Sequence, residues 1–329
     1  MQKTIATAGL KIGMHVLLPA SWFRHPFLRN QFTISSQDEI EKIRESGFEE
    51  VIIDLSRGIG DEEEEPFPEV AREGSVQKTW NPETLIPAEL REAIHDKRLG
   101  PEKKAKVVYH SSREIMERLL EAPSAENIKE VKKGVAEIVD LIISDAETSQ
   151  NLLKITSHDF YTYTHSVNVG VYSVMIAKAY FGRSDAHDMH ELGASFFLHD
   201  IGKVRIPSDI INKPGKLTVE EFEAMKMHAQ YGYDILAETE NLTEEGRIIV
   251  MQHHERGPGS GYPKRLKAGD IHVYGRICSM ADVYDAITAE RSYKEKHTTF
   301  EALKIMKEEL LDHFGMDLYE KLVMIFGTQ

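Results

Sequence analysis

The stretch ASFFLHDIGK, residues 194–203, decides the interpretation of this chain. A mostly apolar run of five residues comes first, His199 and Asp200 follow it, and Gly202 and Lys203 come next. An apolar helix that ends in this way places an imidazole and a carboxylate at a buried position. A buried charge must be paired or bound to a metal ion. A helix end capped by Gly202 would explain the glycine but not the buried aspartate. The stretch therefore predicts a helical protein with a polar site inside its core.

Other histidines and one further aspartate also lie among apolar residues. From about residue 101 onward, apolar residues recur at every third or fourth position, which is typical of amphipathic helices. A single histidine on such a face is more often a satisfied core residue than a ligand. Several such side chains in one helical region instead favour a shared metal site between helices. The candidate ligands are His165, His199, Asp200, His228, His253, His254 and Asp282.

The types of these ligands indicate the metal and the chemistry. Cys278 is the only cysteine, so thiolate sites are excluded, and Fe, Mn, Co or Zn fits better than Cu(I) or an iron–sulfur cluster. Seven ligands exceed the needs of one tetrahedral zinc ion and suit two ions that share a bridging carboxylate. Two such ions make hydroxide at neutral pH and clamp the attacking and leaving oxygens of a phosphoryl displacement. Phosphodiester hydrolysis is the expected reaction.

Composition excludes several other classes of function. The chain has 329 residues and a formal net charge of −14 at pH 7, so broad binding to DNA, RNA or anionic lipid is not expected. No apolar run approaches the ~20 residues of a membrane span. The first residues do not form a convincing signal peptide, and a cytoplasmic setting is therefore expected.

Three regions are expected along the chain. Residues 1–60 are predicted to form a small α/β domain, residues 61–100 an acidic, proline-containing linker, and residues 101–329 the helical domain. Within the first domain, strands are expected at 14–18, 31–34 and 51–55, with a helix from Ser36 to about Ser46. Thr218 and Thr298 begin capping-box sequences, which predict helix starts. Residues 256–270 are rich in Gly and Pro and are expected to form a loop.

The motifs of the chain resemble those of the HD-GYP family of cyclic-di-GMP phosphodiesterases, a branch of the HD-domain metal-dependent phosphohydrolases. The resemblance covers about residues 100–329 and rests on motifs that occur in the family's order. The first domain is similar to the uncharacterised domain that often precedes HD-GYP in bacteria. The motifs are YTYTHS at 161–166, HDIGK at 199–203, His228, HHER at 253–256, GYP at 261–263, ADVYDA at 281–286 and RSYK at 291–294.

The resemblance implies a mainly α fold, an all-helical HD-type domain preceded by a small α/β domain, and roles for individual residues. All seven candidate ligands would bind metal, Fe or Mn by family expectation, with Asp200 bridging two ions. Lys203 would hold the scissile phosphate, and Arg291 and Lys294 would contact substrate phosphates. The signature loop, Gly261, Tyr262 and Pro263, would contact a signalling protein, as could the N-terminal domain, and a homodimer is compatible with the family.

Two positions depart from the family pattern. Some members carry a glutamate four residues before the first ligand histidine and hold a third metal. Tyr161 occupies that position here, and a phenol is a poor ligand at neutral pH, so two metals rather than three are expected. Pro258 stands where many members have Asp or Asn, which affects the geometry expected for the signature loop.

The expected activity is hydrolysis of cyclic-di-GMP to linear pGpG or GMP by a metal-bridging hydroxide. Two alternatives stay open at this point. The substrate could be 3′,3′-cyclic GMP-AMP, because base-contacting loops cannot be assigned from sequence. The chain could also be a signalling module that binds a cyclic dinucleotide without turnover, although such degenerate members usually lose ligands.

Overall fold

The computed structural model describes two compact units of the chain. One comprises residues 1–75 with 212–216, and the other comprises residues 76–211 with 217–329. The residues that the structure describes are 2–17, 31–34, 37–45, 50–54, 80–156, 162–182, 184–213, 215–289 and 297–327.

The first unit contains a four-stranded antiparallel sheet and a helix. The elements are β1 Gln2–Ala6, β2 His15–Leu17, β3 Gln31–Thr33, α1 Gln37–Glu45 and β4 Glu50–Asp54. The strands lie in the order β1-β4-β2-β3, so β1 pairs with β4. The small core consists of aliphatic side chains and Met14. The three predicted strands and the predicted helix are confirmed, and β1 is an additional strand.

The second unit is helical and contains one extensive apolar core. Its long helices, α3, α4, α6 and α12, contribute much of that core. The helices are α2 Ala88–His95, α3 Pro101–Glu121, α4 Ala125–Ser144, α5 Ala146–Ile155, α6 Thr162–Phe181, α7 Met189–Phe197, α8 Ser208–Ile211, α9 Val219–Lys226, α10 His228–Glu238, α11 Glu244–Gln252, α12 Val273–Thr288, α13 Thr299–Glu309, α14 Leu311–Phe314 and α15 Met316–Phe326.

Part of the predicted linker belongs instead to the helical unit. Residues 82–84 form a 3₁₀ turn and α2 follows, while the side chains of Leu85 and Leu90 are fully buried in the helical core. Pro82 and Pro87 mark the starts of these two helical segments, where a missing backbone N–H costs nothing. The expected linker is therefore wrong for residues 80–100. Its acidic stretch, residues 61–65, lies outside the described residues.

The local signals for helix ends are confirmed. Thr218 and Thr298 both form complete capping boxes, each with the glutamate three residues later. Thr243 caps α11, the helix that ends immediately before His253 and His254. Residues 256–270 form a loop, apart from a short 3₁₀ turn at its end. Within the described part of the chain, no helix has the length and apolar character required to cross a bilayer.

Candidate metal centre

Five helical elements of the second unit bring all seven candidate ligands together. His165 lies on the first turn of α6, and Asp282 lies on α12. The turn after α7 carries His199 and Asp200, α10 begins with His228, and the end of α11 is followed by His253 and His254. The ligand atoms form two groups, each with all atoms within 4.8 Å of one another: Asp200, His228, His253 and His254 in one, and His165, His199 and Asp282 in the other.

Asp200 lies between the two groups and presents one oxygen to each. Its Oδ1 is 3.3 Å from Nε2 of His228 and 3.7 Å from Nε2 of His253. Its Oδ2 is 3.3 Å from Nε2 of His199 and 3.5 Å from Nε2 of His165. This is the arrangement expected of a carboxylate that bridges two ions.

Asp282 links the two groups a second time, on the more exposed side of the cluster. Its Oδ1 is 3.2 Å from Nε2 of His165, and its Oδ2 is 3.6 Å from Nδ1 of His254. The side chains of Asp282 and His254 are 15% and 21% exposed, whereas His253 is fully buried. The cluster is therefore reached from the side on which Asp282 and His254 lie.

Hydrogen bonds on the second ring nitrogen orient four of the imidazoles. A carbonyl or carboxylate oxygen can only accept, so each Nδ1 carries a hydrogen and each Nε2 points into the cluster. His165 donates to Oδ2 of Asp285 over 2.7 Å. The other three donate to backbone carbonyls: His199 to Phe196 at 2.8 Å, His228 to Met225 at 2.7 Å and His253 to Ile249 at 2.9 Å.

The protonation of most imidazoles suits metal binding. Burial lowers the pKa of His199, and it lowers the pKa of His228 to about 3. Burial, together with a neighbouring imidazole, holds the pKa of His254 well below its ordinary value. These rings are neutral at pH 7, which is the form that binds a metal ion. His165 differs, because hydrogen bonds with two carboxylates outweigh burial and raise its pKa to about 9.

The two carboxylates are ionised in spite of their burial. Burial opposes the ionisation of Asp200, but the positive charge of Lys203, together with the interaction with the neighbouring His199, outweighs burial and holds the pKa of Asp200 well below its usual range. Burial is likewise outweighed at Asp282, where the hydrogen bond with His165 lowers the pKa. Two ionised carboxylates in one buried cluster require cations nearby.

The donor set fits divalent metal ions. Nε2 of His199 and Oδ1 of Asp200 are buried and have no hydrogen-bond partner. An unpartnered buried nitrogen and oxygen are costly unless an ion satisfies them. These two atoms belong to different ligand groups, so an unpartnered buried atom is present in each group.

Gly202 explains why the turn after α7 can pack so closely against α10. A Cβ at this position would lie 1.9 Å from the carbonyl oxygen of His228 and 2.4 Å from the backbone nitrogen of Gly232. The glycine is thus required by close backbone approach and not by a helix cap. This contact brings Asp200 within reach of His228.

Lys203 lies at the edge of the cluster. Its Nζ is 2.5 Å from Oδ2 of Asp200, and its side chain is 18% exposed. The predicted phosphate contact of Lys203 stays a prediction; the structure places its positive charge beside the carboxylate of Asp200. Arg291, Lys294 and Tyr161, for which sequence analysis predicted two phosphate contacts and the absence of a third metal, lie outside the described residues.

The signature loop packs against the ligands. The ring of Tyr262 lies 4.7 Å from the ring of His254, and its backbone N–H donates to the carbonyl of His254. A Cβ on Gly261 would meet backbone atoms of His254, Glu255 and Arg256 at 2.4–2.6 Å, so this position also requires glycine. Gly261 is buried and Tyr262 half-buried, whereas Pro263 is exposed.

Sequence reasoning assigned no role to two buried acids that support this site. Glu255 accepts hydrogen bonds from the backbone N–H groups of Lys264 and Leu266, at 2.6 and 2.8 Å, and so ties the signature loop to the end of α11. Asp285 orients His165. Both acids lie within three residues of a predicted ligand and inside the motifs HHER and ADVYDA, which were the signals available in the sequence.

Family comparisons agree with this geometry. The family described as HD domain matches residues 150–318, about half of the chain. The chain belongs to the HD-domain family. A second family, described as a domain of unknown function, DUF3391, matches residues 2–133 and thus covers the first unit and the first helices of the second.

Individual relatives confirm the predicted resemblance. A cyclic di-GMP phosphodiesterase of Pseudomonas aeruginosa is 33% identical over 99% of this chain and 77% of its own length. A 3′3′-cGAMP-specific phosphodiesterase of Vibrio cholerae is 36% identical over 57% of this chain and 36% of its own length. A cyclic di-GMP phosphodiesterase of Thermotoga maritima is 36% identical over 56% of this chain and 48% of its own length. The chain therefore spans less than half of the last two relatives.

A solved structure shows the same fold. The protein from Bdellovibrio bacteriovorus described as an HDG"Y"P protein superimposes with a TM-score of 0.63 and 17% sequence identity, over 99% of this chain and 100% of that one. The mainly helical fold class, with a small α/β unit before the HD domain, is confirmed.

Proposed function

We propose that this HD-domain protein hydrolyses a phosphodiester bond of a cyclic dinucleotide, with cyclic-di-GMP as substrate and pGpG or GMP as product. The observation that carries the proposal is the position of Asp200, which offers one oxygen to each of two ligand groups. Two metal positions on either side of one carboxylate suit phosphodiester hydrolysis. The names of the relatives from P. aeruginosa and T. maritima support the choice of substrate.

The residues would hold two divalent ions, Fe or Mn by preference. His165, His199 and Asp282 would bind one ion with Oδ2 of Asp200, and His228, His253 and His254 would bind the other with Oδ1 of Asp200. When bound, such ions supply an activated water and stabilise negative charge on phosphoryl oxygens. Imidazole and carboxylate ligands are compatible with both metals.

The chain's own residues would orient the substrate. The more exposed edge of the cluster, formed by Lys203, His254 and Asp282, is the side from which a phosphodiester can approach. Lys203, a compact charge, would contact the scissile phosphate, and Arg291 and Lys294 would contact phosphates farther along the substrate. Tyr262 would keep the ring of His254 in place.

The proposal is tested by incubating purified protein separately with cyclic-di-GMP and 3′,3′-cyclic GMP-AMP, in Mn²⁺ and in anaerobic Fe²⁺. Products are resolved by chromatography, and a His199→Ala variant serves as the control. We expect pGpG or GMP from cyclic-di-GMP, with a higher kcat/KM than for the mixed dinucleotide, in the unmodified protein only. Absence of product from both substrates, in protein that holds two ions, would contradict the proposed activity.

The same measurements separate the two alternative functions, hydrolysis of 3′,3′-cyclic GMP-AMP and binding without hydrolysis. Faster hydrolysis of 3′,3′-cyclic GMP-AMP would favour the activity for which the V. cholerae relative is named. Tight binding of a dinucleotide without hydrolysis would favour a signalling module. A protein partner at the signature loop would contact its exposed end at Pro263, because Gly261 and Tyr262 face inward. The N-terminal unit as a partner surface, the homodimer and the cytoplasmic setting remain proposals.

A further inference from the structure

A buried series of hydrogen bonds ends on one ligand of the candidate metal centre. Tyr109, on α3, donates its O–H to Oδ1 of Asn168, on α6, over 2.8 Å. Nδ2 of Asn168 donates to Oδ1 of Asp285, on α12, over 2.8 Å. Nδ1 of His165 donates to the other oxygen, Oδ2 of Asp285, over 2.7 Å. These residues are between 1% and 7% exposed, so the series is closed to solvent.

We propose that Tyr109, Asn168 and Asp285 are positioning residues for His165, and that the metal position containing His165 consequently binds its ion more tightly than the other position. The inference rests on the proposed function only in so far as the two ligand groups hold metal ions. It assigns these three residues no contact with substrate.

The geometry fixes both the orientation and the tautomer of His165. Both oxygens of Asp285 accept hydrogen bonds, so the carboxylate cannot rotate without losing at least one of them. Asn168 cannot exchange its amide nitrogen and oxygen, because the carboxylate of Asp285 can only accept a hydrogen bond and so requires the amide nitrogen. Nδ1 of His165 therefore keeps its hydrogen, and Nε2 points toward Asp282 and Asp200, at 3.2 and 3.5 Å.

The two metal positions differ in the groups behind their histidines. Only His165 donates to a carboxylate, whereas His199, His228 and His253 donate to neutral backbone carbonyls. A carboxylate behind a ligand histidine increases the basicity of the ligand, and loss of such a partner lowers metal affinity by about 10–100-fold.

The charges around the two positions also differ. Asp282 belongs to the position containing His165, with its Oδ1 3.2 Å from Nε2 of His165, and its Oδ2 lies farther, at 3.6 Å, from Nδ1 of His254. Both positions share Asp200, and Lys203 partly offsets these carboxylates at Oδ2 of Asp200. The carboxylate behind His165 therefore decides which position binds its ion more tightly. The expected order of binding is the His165 position first and the His228 position second.

The test is titration of the full-length protein, stripped of metal, with Mn²⁺ at about pH 9 and without oxygen, so that a proton on Nε2 of His165 does not compete with the ion, using equilibrium dialysis to count bound ions. The variants are Asp285→Asn and Tyr109→Phe. Tyr319→Phe is the matched control, because Tyr319 is equally buried and donates a single hydrogen bond to the carbonyl of Leu303. Thermal unfolding of each stripped variant measures the purely structural effect of the change.

We expect two binding steps in the unmodified protein. Asp285→Asn should weaken the tighter step by about 10–100-fold and leave the weaker step nearly unchanged. Tyr109→Phe should weaken the same step by less, and Tyr319→Phe should change neither. Equal weakening of both steps, or an unchanged tighter step in folded Asp285→Asn and Tyr109→Phe, would overturn the inference.

These results are distinguishable from failure of the proposed function. Two ions bound in steps that respond as expected, with no hydrolysis of either cyclic dinucleotide, would contradict the activity and leave the positioning role intact. Hydrolysis by a protein whose steps do not respond to Asp285→Asn would contradict the positioning role alone. A stripped protein that binds no Mn²⁺ would overturn both.

Discussion

Asp200 connects the two ligand groups, and its side chain is the most informative one to remove. Asp200→Ala deletes the oxygens that face His228 and His199 and leaves imidazoles without a shared carboxylate. We expect most of the bound metal to be lost and turnover to fall by about a thousandfold or more, because residues that act as one unit fail together.

Glu308→Ala is the matched control for this change, because Glu308 is an exposed carboxylate on α13. Metal content by elemental analysis and turnover are measured on the same samples. Retention of both ions and normal turnover in Asp200→Ala would contradict the assignment of the bridging residue.

The raised pKa of His165 predicts that metal uptake depends on pH. Burial lowers the pKa of His165, but hydrogen bonds with Asp282 and Asp285 outweigh burial and raise it to about 9. At pH 7 an incoming ion must displace that proton, whereas His228, with a pKa of about 3, releases none. Apparent metal affinity should therefore rise by about tenfold per pH unit between pH 7 and 9 and then level off.

Calorimetric titration of the stripped protein in buffers of different ionisation enthalpy measures this proton. Uptake of metal at pH 7 without proton release would contradict the expectation. The same raised pKa stabilises the stripped protein fully below about pH 6.5, and that stabilisation is lost as the pH rises through about 9. Thermal unfolding of the stripped protein across this range provides a second check.

At the scale of elements, the close packing of the turn after α7 against α10 sets the geometry of the site. Gly202→Ala would place a Cβ 1.9 Å from the carbonyl oxygen of His228, so the two elements must separate. We expect unfolding free energy to fall by about 1–3 kcal/mol, the scale of overpacking, and metal affinity to fall with it.

Gly269→Ala is a suitable control for Gly202→Ala, because a Cβ at Gly269 would meet no atom within 4 Å. Chemical denaturation and metal titration of both variants provide the measurement. If Gly202→Ala were as stable as Gly269→Ala and bound metal equally well, the close approach would not matter for the site.

The elements show which signals in the sequence were sufficient. Helix starts at Thr218 and Thr298 were predictable, because a capping box satisfies backbone groups locally. Strand β1 was not, because its sequence, QKTIA, is mostly polar and pairs with β4 from about fifty residues away. The prolines at 82 and 87 suggested a linker, although proline is also common at the first position of a helix.

The site likewise has features that the sequence predicts and features that depend on how the helices pack. The clustering of the seven candidate ligands was predictable, because a polar residue on an otherwise apolar helix face requires a partner in the core. Their division into two groups depends on how five helical elements pack, and no residue spacing encodes it. Asn168 contacts Asp285, and Asp285 contacts His165, by hydrogen bonds that form only after folding. Because Asp285 and His165 are 120 residues apart, the sequence gives no sign of this contact.

For the molecule as a whole, the assignment of residues 80–100 to the helical unit changes where the chain can be divided. Removal of residues 1–75 leaves the core of the second unit complete, whereas removal of residues 1–100 also deletes the buried Leu85 and Leu90. Each fully buried leucine contributes about 1.5–3 kcal/mol. We expect the shorter truncation to retain metal and turnover and the longer one to be markedly less stable.

Thermal unfolding and metal content of the two truncated proteins check this expectation. Equal stability of the two would show that α2 and the turn before it contribute little to the helical core. Loss of turnover in the shorter truncation, with stability and metal retained, would instead indicate that the first unit regulates the activity.

We propose that the buried cluster of seven candidate ligands holds two ions and needs both to hydrolyse a cyclic dinucleotide. The most direct measurement titrates Mn²⁺ into stripped protein and records, in each sample, the ions bound per chain and the rate of pGpG formation from cyclic-di-GMP. We expect little product while the first ion binds and a rising rate as the second position fills. Full turnover with a single ion bound, or no product with both positions filled, would contradict it.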